Sequence, residues 1–200
     1  KVRFFSRENS LAVHVNKQFA ADQASGDWIL ILDADEEITP ELREEILSAL
    51  AEDNDMSAYA MPRRNFYFGC WLKHGGKYPD TQLRLFRKGK ARFLPRPVHE
   101  RLEVEGMTGR LRAPLNHYPY RTARDVPRKL GFYTEALSEN YLTEGKNPIL
   151  IFARPFTRFI SAYLLKLGFL DGAAGFKTAL TDFLVIFYSI FRFREKLRLV

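Results

Sequence analysis

The chain of 200 residues is poor in cysteine and in long uncharged hydrophobic runs. Its single cysteine, Cys70, excludes an internal disulfide and a cysteine-rich zinc site, which fits a reducing compartment. No cleavable signal peptide is visible, because polar residues are spread through the opening KVRFFSRENS. The motifs GxxxxGK[ST], GxGxxG, HExxH and GxSxG are also missing. These absences argue against a P-loop nucleotidase, a dinucleotide-binding fingerprint, a zinc protease and a serine hydrolase.

Positive charge is in excess, with 31 lysines and arginines against 24 acids and a formal net charge of +7. This balance favours polyanionic neighbours, whether nucleic acid, a phospholipid surface or a phosphorylated sugar. The acids concentrate at residues 27–55, and most basic residues lie at 63–128 and 154–198. Aromatic and basic residues interleave in RRNFYF and RLFRKGKARF, as on some nucleic-acid surfaces. That interpretation leaves the acidic DADEE unexplained, so we expect no nucleic-acid partner.

The segment DWILILDADEE, residues 27–37, combines an unbroken apolar run with acids. The run at 28–32 predicts a strand buried on both faces, as in a parallel sheet with helices on either side. Open α/β sheets bind ligands at the carboxyl ends of their strands. Alternation along an extended backbone would turn Asp33 and Asp35 toward one divalent cation. The alternative is a solvated acidic loop before a helix.

The surrounding pattern predicts an α/β fold. We expect helices at residues 10–24 and 124–142, and another that begins after Thr39 with Pro40 in its first turn. Between residues 57 and 118 the chain changes to shorter extended pieces separated by turns, such as Lys88-Gly89-Lys90. Helix, strand, acidic loop and helix in succession are typical of α/β proteins.

Residues 155–167 and 173–193 form two aromatic segments with basic flanks. The longest uncharged run in them, 183–191, is well short of the roughly 20 residues that span a bilayer. We therefore predict a pair of amphipathic helices lying in the plane of a membrane surface. The alternative is a pair of ordinary core helices, packed on the domain or on a second copy.

Three further groups of residues are candidates for chemistry. His99 and Glu100 lie in the proline-framed RPVHERLEV, where Glu100 could act as a general base toward a hydroxyl. His74 precedes Gly75-Gly76, whose backbone could approach a ligand closely, and Arg84 could pair with phosphate. The alternatives are a surface Glu–Arg pair and an exposed hairpin turn. His117 in LNHYPY is a metal ligand or, as is commoner for an isolated histidine, a hydrogen-bonded residue at a strand end.

Together these motifs resemble the family-2 glycosyltransferases with a GT-A fold, in the bacterial branch that adds sugars to lipopolysaccharide core or similar envelope glycolipids. The blocks that carry the resemblance are GDWILILDADEEITPEL, GCWLKHGGKYPDTQLRLFRKGKARF, RPVHERLEVEG, LNHYPYR and RFISAYLLKLGFLDGAAGF. They span nearly the whole chain, in the order that the family would have them.

The resemblance implies roles for individual residues. Asp33 and Asp35 match the DxD pair that binds Mg²⁺ or Mn²⁺ and the nucleotide-sugar diphosphate, and His117 could complete the metal shell. Glu100 matches the acidic base that deprotonates the acceptor hydroxyl, with His99 beside it. The candidate substrate-binding residues are Asp80, Gln82, Arg84, His74 and Lys17.

The resemblance also implies an organisation. We expect a GT-A-like catalytic domain at residues 1–145 and a membrane-associating helical tail at 146–200, on the cytoplasmic face of the inner membrane. Family members begin with a strand, a loop and a second strand that seat the nucleotide base, and none of these precedes Lys1. We therefore expect the base pocket to lie outside this sequence.

The expected reaction is metal-dependent, inverting transfer of a hexose from a nucleotide sugar to a hydroxyl of an envelope saccharide or glycolipid. The alternative from another class is a non-catalytic, membrane-associated interaction protein that retains the scaffold.

Overall fold

The computed structural model describes residues 2–6, 13–52, 54–94, 101–147 and 149–198. The α-helices in them are α1 (Val13–Gln23), α2 (Pro40–Ala51), α3 (Asp125–Thr143), α4 (Arg154–Ile160) and α5 (Gly172–Leu197). The strands are β1 (Trp28–Leu30), β2 (Glu36–Ile38), β3 (Met56–Tyr67), β4 (Cys70–Trp71), β5 (Asp80–Arg87), β6 (Ala91–Leu94), β7 (Arg101–Val104), β8 (Met107–Arg110) and β9 (Leu115–Tyr120).

The main sheet is mixed and has the strand order β1-β5-β3-β9-β2, with β4 and β8 also paired to β3. The pairs β1/β5, β3/β5 and β2/β9 are antiparallel, whereas β8 and β9 run parallel to β3. Strands β6 and β7 form a separate antiparallel hairpin. This mixed sheet with packed helices confirms the predicted α/β class.

Helices cover the sheet on both faces. Helix α2 packs Leu42 and Ile46 against Tyr59, Met61 and Leu85. Since neighbouring residues of a strand point to opposite faces, the residue after Leu85 faces the other way. That residue, Phe86, packs with Ile29, Ala58, Ala21 of α1 and Phe93 of β6. The strands that are buried on both faces are therefore the central β3 and β5.

The predicted strand at residues 28–32 exists, but its environment was predicted wrongly. It is shorter, it pairs antiparallel with β5, and it lies at one end of the strand order in the described part of the chain. Leu32, in the predicted buried run, is 43% exposed. An apolar run indicates that side chains are buried, but it does not indicate the direction of the neighbouring strand. The prediction of a parallel sheet therefore did not follow from the run.

The start of α2 matches the sequence prediction. The Thr39 hydroxyl accepts a hydrogen bond from the Leu42 N–H at 3.2 Å and donates one to the Pro114 carbonyl at 3.1 Å. Pro40 occupies the first turn, where a missing N–H costs nothing. Thr39 thus both caps the helix and ties it to the segment before β9.

The carboxyl-terminal tail is a helical hairpin. Helix α4 continues as a short π-helix, Ser161–Leu165, and a 3₁₀ turn, Gly168–Asp171, leads into α5. A Cβ on Gly175 would collide with the carbonyl of Gly168, so the close approach at this bend requires glycine. The two predicted tail helices are confirmed.

The tail also docks onto the sheet domain. Helices α3 and α5 share a buried cluster that contains Tyr141, Ile190 and Phe193. Because α3 belongs to the predicted first domain, the tail packs on that domain; the boundary at residue 145 stays a prediction.

The loop between β4 and β5 makes a second contact with the tail. The Asp171 carboxylate accepts hydrogen bonds from the His74 N–H at 2.8 Å and contacts His74 Nδ1 at 2.8 Å. The Gly75 N–H donates to the Lys166 carbonyl at 2.8 Å. Lys77 Nζ lies 2.9 Å from the Asp182 carboxylate of α5, which also contacts Arg158 at 3.1 Å.

By length and composition alone, one helical stretch among the described residues, Gly168–Leu197, could cross a membrane. The expectation that neither tail segment is long enough was therefore wrong for α5, since it counted only the uncharged run and not the whole helix. Within the most apolar window of this stretch, 39% is buried inside the structure, and core helices of soluble proteins pass the same test.

We predict that Asp182→Asn lowers the free energy of unfolding by about 1–3 kcal/mol, because it leaves the largely buried Lys77 ammonium without its carboxylate. Urea unfolding measures the change. The control is Glu195→Gln, which removes an exposed i,i+3 pair with Arg192 and should cost less than about 0.5 kcal/mol. Equal losses in both variants would show that the contact does not hold the tail in place.

Candidate active site

The acidic segment after β1 is a tight turn. The Ile31 N–H still donates to the Arg84 carbonyl at 2.9 Å, and residues 34–35 then turn before β2. The Glu36 N–H donates to the Asp33 carbonyl, and the Asp33 N–H donates to the Glu36 carboxylate, both at 3.0 Å. The expectation of an extended backbone through Asp33 and Asp35 was therefore wrong, because the segment closes on itself with local hydrogen bonds.

Asp33 is held between two cations. Its carboxylate lies 2.8 Å from Lys17 Nζ of α1 and 2.7 Å from Arg84 Nη2 of β5. Burial raises the pKa of Asp33, but the charges of Arg84 and Lys17 outweigh burial and hold that pKa below its ordinary value. The residue is therefore ionised at neutral pH.

Asp35 contacts a different pair of basic groups. His117 Nε2 of β9 lies 3.6 Å from its carboxylate, and Lys129 Nζ of α3 lies 3.2 Å away. The interaction with His117, supported by Lys129, holds the pKa of Asp35 far below its ordinary value despite burial. Lys129 was missed by the sequence analysis, since nothing in a lone helical lysine indicates which loop it will reach.

Glu36 is the buried centre of the site. Its side chain has no exposed surface and contacts Arg84 and Arg63, the latter at 3.0 Å. A buried carboxylate needs such partners because desolvation of an unpaired charge is very costly. Glu36 and Arg63 were not predicted, although Glu36 stands beside the DxD pair.

Asp80 continues the same arrangement on β5. Its carboxylate accepts hydrogen bonds from Arg63 at 2.7 Å, Asn65 at 3.0 Å and Gln82 at 2.7 Å. Burial raises the pKa of Asp80, but these donors together with the charge of Arg63 keep it below its ordinary value. Asp80 therefore holds the side chains of all three donors in position.

Asn65 fixes the orientation of His117. The Asn65 amide group donates to the Lys77 carbonyl at 2.8 Å and to Asp80, so its oxygen is the free acceptor. That oxygen lies 2.6 Å from His117 Nδ1. We therefore assign the proton to Nδ1, which leaves Nε2 facing Asp35.

These contacts form one continuous polar network across the sheet. Its members from the sequence prediction are Lys17, Asp33, Asp35, Asp80, Gln82, Arg84 and His117. His74 lies outside the network and contacts Asp171 of the tail instead. His99 and Glu100 fall outside the described residues, so their predicted roles stay predictions.

An open cleft of about 470 Å³ borders the network at Asp35. Its walls include Asp35, Glu37, Phe66, Tyr118, Tyr120 and Arg121. This volume is in the range of small-molecule sites, ~300–1,000 Å³. The aromatic residues of this cleft were not singled out from the sequence, where FYF and HYPY look like ordinary strand residues.

The site has the donor atoms that a hard divalent cation prefers. Mg²⁺ is usually held by one or two carboxylates and completed by substrate phosphates, and Asp33 and Asp35 offer such carboxylates. Among the described residues, no group of three or more histidine, cysteine or acidic side chains is arranged to hold a metal. Asp33 and Asp35 therefore fit as the two carboxylates of such a site, in which substrate phosphates would supply the remaining ligands.

We predict that Glu36→Gln destabilises the fold by about 3 kcal/mol or more, because it removes the buried charge that faces Arg63 and Arg84. Urea unfolding checks this value. The exposed Glu44 of α2 provides a control, since Glu44→Gln should change stability by less than about 0.5 kcal/mol. A cost for Glu36→Gln no larger than that of the control would contradict the assignment.

Comparisons with known proteins place this site in a family. The profile of Glycosyl transferase family 2 matches residues 1–118. The chain is 30% identical, over 86% of its length, to the lipopolysaccharide core biosynthesis glycosyltransferase LpsC of Rhizobium meliloti (strain 1021). It is 23% identical, over 90% of its length, to the uncharacterized glycosyltransferase RT0209 of Rickettsia typhi (strain ATCC VR-144 / Wilmington). It spans 66% of the length of each relative. The chain therefore belongs to glycosyl transferase family 2.

Proposed function

We propose that this chain carries the catalytic site of an inverting glycosyltransferase, which moves a hexose from a nucleotide sugar to a hydroxyl of an envelope saccharide or glycolipid. The observation that carries the proposal is the placement of Asp33 and Asp35 among basic side chains beside an open cleft. The name of the Rhizobium meliloti relative supports an acceptor of the lipopolysaccharide-core type.

The basic residues around the acids are assigned to binding of the nucleotide-sugar donor. The side-chain nitrogens of Lys17, Arg84 and Lys129 lie within 3.2 Å of carboxylate oxygens of the site, so their positive charges are close enough to bind a diphosphate there. Such groups bind phosphate oxygens by charge-assisted hydrogen bonds. Mg²⁺ or Mn²⁺ held by Asp33 and Asp35 would neutralise the charge that forms on the departing diphosphate.

His117 acts as a positioning residue for Asp35. Its Nδ1 is engaged by Asn65, so the ring is fixed with Nε2 toward the carboxylate. In this arrangement His117 either supports Asp35 or shares its ligand. Supporting Asp35 by a hydrogen bond needs a proton on Nε2, whereas sharing a cation needs an unprotonated Nε2; the contact with Asn65 keeps the proton on Nδ1 in both cases.

Glu100 is proposed as the general base. It would take the proton of the acceptor hydroxyl as that oxygen attacks C1 of the donor sugar. The C1–oxygen bond to the diphosphate breaks in the same displacement, so the configuration inverts and no covalent enzyme intermediate forms. In the sequence, Glu100 stands between the paired strands β6 and β7.

The tail is proposed to lie on an anionic membrane surface, at the cytoplasmic face of the inner membrane. Many large apolar side chains of the tail are exposed: Ile149, Leu150, Phe152, Phe156, Ile160, Leu164, Leu165, Leu167, Phe169, Leu170, Phe176, Leu180, Tyr188 and Phe191. Exposed Arg154 and Lys166 accompany them. Apolar and basic groups together are what a peripheral helix needs for binding to anionic lipid. The pairing of Asp182 with Lys77 favours an in-plane helix over a span.

We predict that Glu100→Gln lowers kcat by about 10²–10⁴-fold, the usual contribution of a general base. Binding of UDP with Mn²⁺ should be unchanged in this variant and weakened in Asp35→Asn. Release of nucleoside diphosphate from a panel of UDP- and GDP-hexoses, with core oligosaccharide as acceptor, measures turnover.

The matched control for the base is Glu105→Gln, an exposed acid that pairs with Lys90 at 3.5 Å. It should turn over like the unmodified protein. Near-normal rates in both Glu100→Gln and Asp35→Asn would refute the assignment. Because the base pocket is expected outside this sequence, these measurements use a full-length version, and a full-length protein that binds neither UDP nor Mn²⁺ would support the non-catalytic interaction protein instead.

We predict that replacing Leu165 and Leu170 together by glutamine lowers binding to phosphatidylglycerol-containing vesicles by tenfold or more. These side chains are 75% and 56% exposed, and burying a leucine contributes roughly 1.5–3 kcal/mol. Flotation measures the bound fraction. Leu47→Gln, at a position 52% exposed on α2, is the control that should float like the unmodified protein. Equal flotation of all three proteins, or none, would reject the membrane role.

A further inference from the structure

The cleft beside Asp35 contains a rigid aromatic platform. Phe66 of β3 and Tyr118 of β9 stack with ring centroids 5.1 Å apart and planes 24° apart. Their strands are paired in parallel, and the register shifts between the pairs Asn65–His117 and Tyr67–Tyr120, where both rings lie. The platform is therefore formed before any ligand binds, which lowers the entropic cost of binding.

The same cleft presents an oriented carboxylate. The Tyr118 hydroxyl donates a hydrogen bond to the Glu37 carboxylate at 2.8 Å, and Asn116 Nδ2 donates to it at 3.4 Å. Glu37 itself is exposed. Burial and the hydrogen bond to Glu37 both raise the pKa of Tyr118, so its hydroxyl stays protonated and keeps donating.

We propose that this cleft is a saccharide-binding subsite, in which a sugar ring stacks on an uncovered face of the Phe66–Tyr118 pair and its hydroxyls donate to Glu37. Resting on the proposed function, the sugar is that of the acceptor. A pyranose has an apolar C–H face and a rim of hydroxyls, which match an aromatic surface and a neighbouring carboxylate. Arg121, also on the wall, can donate to ring or hydroxyl oxygens.

Charge separates this subsite from the place of the donor diphosphate. The wall carries the acids Asp35, Glu36 and Glu37 against one cation, Arg121, and the partners of Glu37 named above are neutral. A diphosphate would be repelled by that carboxylate, whereas the cations Lys17, Arg84 and Lys129 gather on Asp33 and Asp35. The neutral sugar thus lies on the aromatic side of Asp35 and the anion on the basic side.

Saturation-transfer difference NMR with methyl glucoside, methyl galactoside, methyl mannoside and core oligosaccharide tests the proposal. We expect at least one of these probes to bind, and Tyr118→Ala to weaken it about threefold to tenfold. Glu37→Gln should weaken it to a similar degree. Tyr118→Phe keeps the ring but loses the hydroxyl that donates to Glu37. Its affinity for the probe should therefore lie between those of the unmodified protein and Tyr118→Ala.

The control is Phe4→Ala, at an aromatic residue that is 89% exposed, and it should bind the probe normally. UDP with Mn²⁺ should bind all of these variants equally. The subsite is overturned if Tyr118→Ala and Glu37→Gln bind sugar as the unmodified protein does, or if no probe binds at all. It is also overturned if these variants lose binding of UDP in parallel with binding of sugar. If sugar binding follows the expected pattern but UDP does not bind a full-length version of the protein, the subsite is supported and the transferase function fails.

Discussion

The buried charge of Glu36 is the constraint on which the rest of the structure depends. Its side chain is fully enclosed and faces Arg63 and Arg84, so three strands must keep their positions for the charges to stay paired. Those arginines in turn hold Asp80 and Asp33. The acidic turn is thus attached to the centre of the sheet by charge, although β1 itself lies at one end of the strand order among the described strands.

The helical tail is joined to this site through polar contacts as well as apolar packing. Asp182 of α5 pairs with Lys77, and the Lys77 carbonyl accepts the Asn65 amide that also orients His117. The sequence HGGK contacts the tail through His74, Gly75 and Lys77, and its expected role in ligand binding stays a prediction. The tail therefore holds the loop that supports the site, so the position of the tail and the geometry around Asp35 are physically linked.

Sequence patterns were informative where the signal was local. The cap at Thr39, the helix at α3 and the acids that follow the apolar run were all expected, because capping and periodicity depend on neighbouring residues. Most predicted substrate and metal residues proved to share one network. Arg63, Asn65 and Lys129 were missed, since their significance comes from partners on other elements. The stacking of Phe66 on Tyr118 was equally hidden, because it depends on the register of β3 with β9.

By itself the sequence determined the α/β class and which carboxylates stand at the end of the first apolar strand, because both are written in local composition and spacing. The family was indicated by the resemblance of its motif blocks to known members. Only the tertiary structure decided that this strand is antiparallel at one end of the strand order, and that the acids close into a turn surrounded by Lys17, Arg84, His117 and Lys129. Strand direction and charge pairing depend on segments far apart in the chain. No local pattern specifies such long-range partners; they follow from the requirement that buried charges and apolar surfaces be satisfied together.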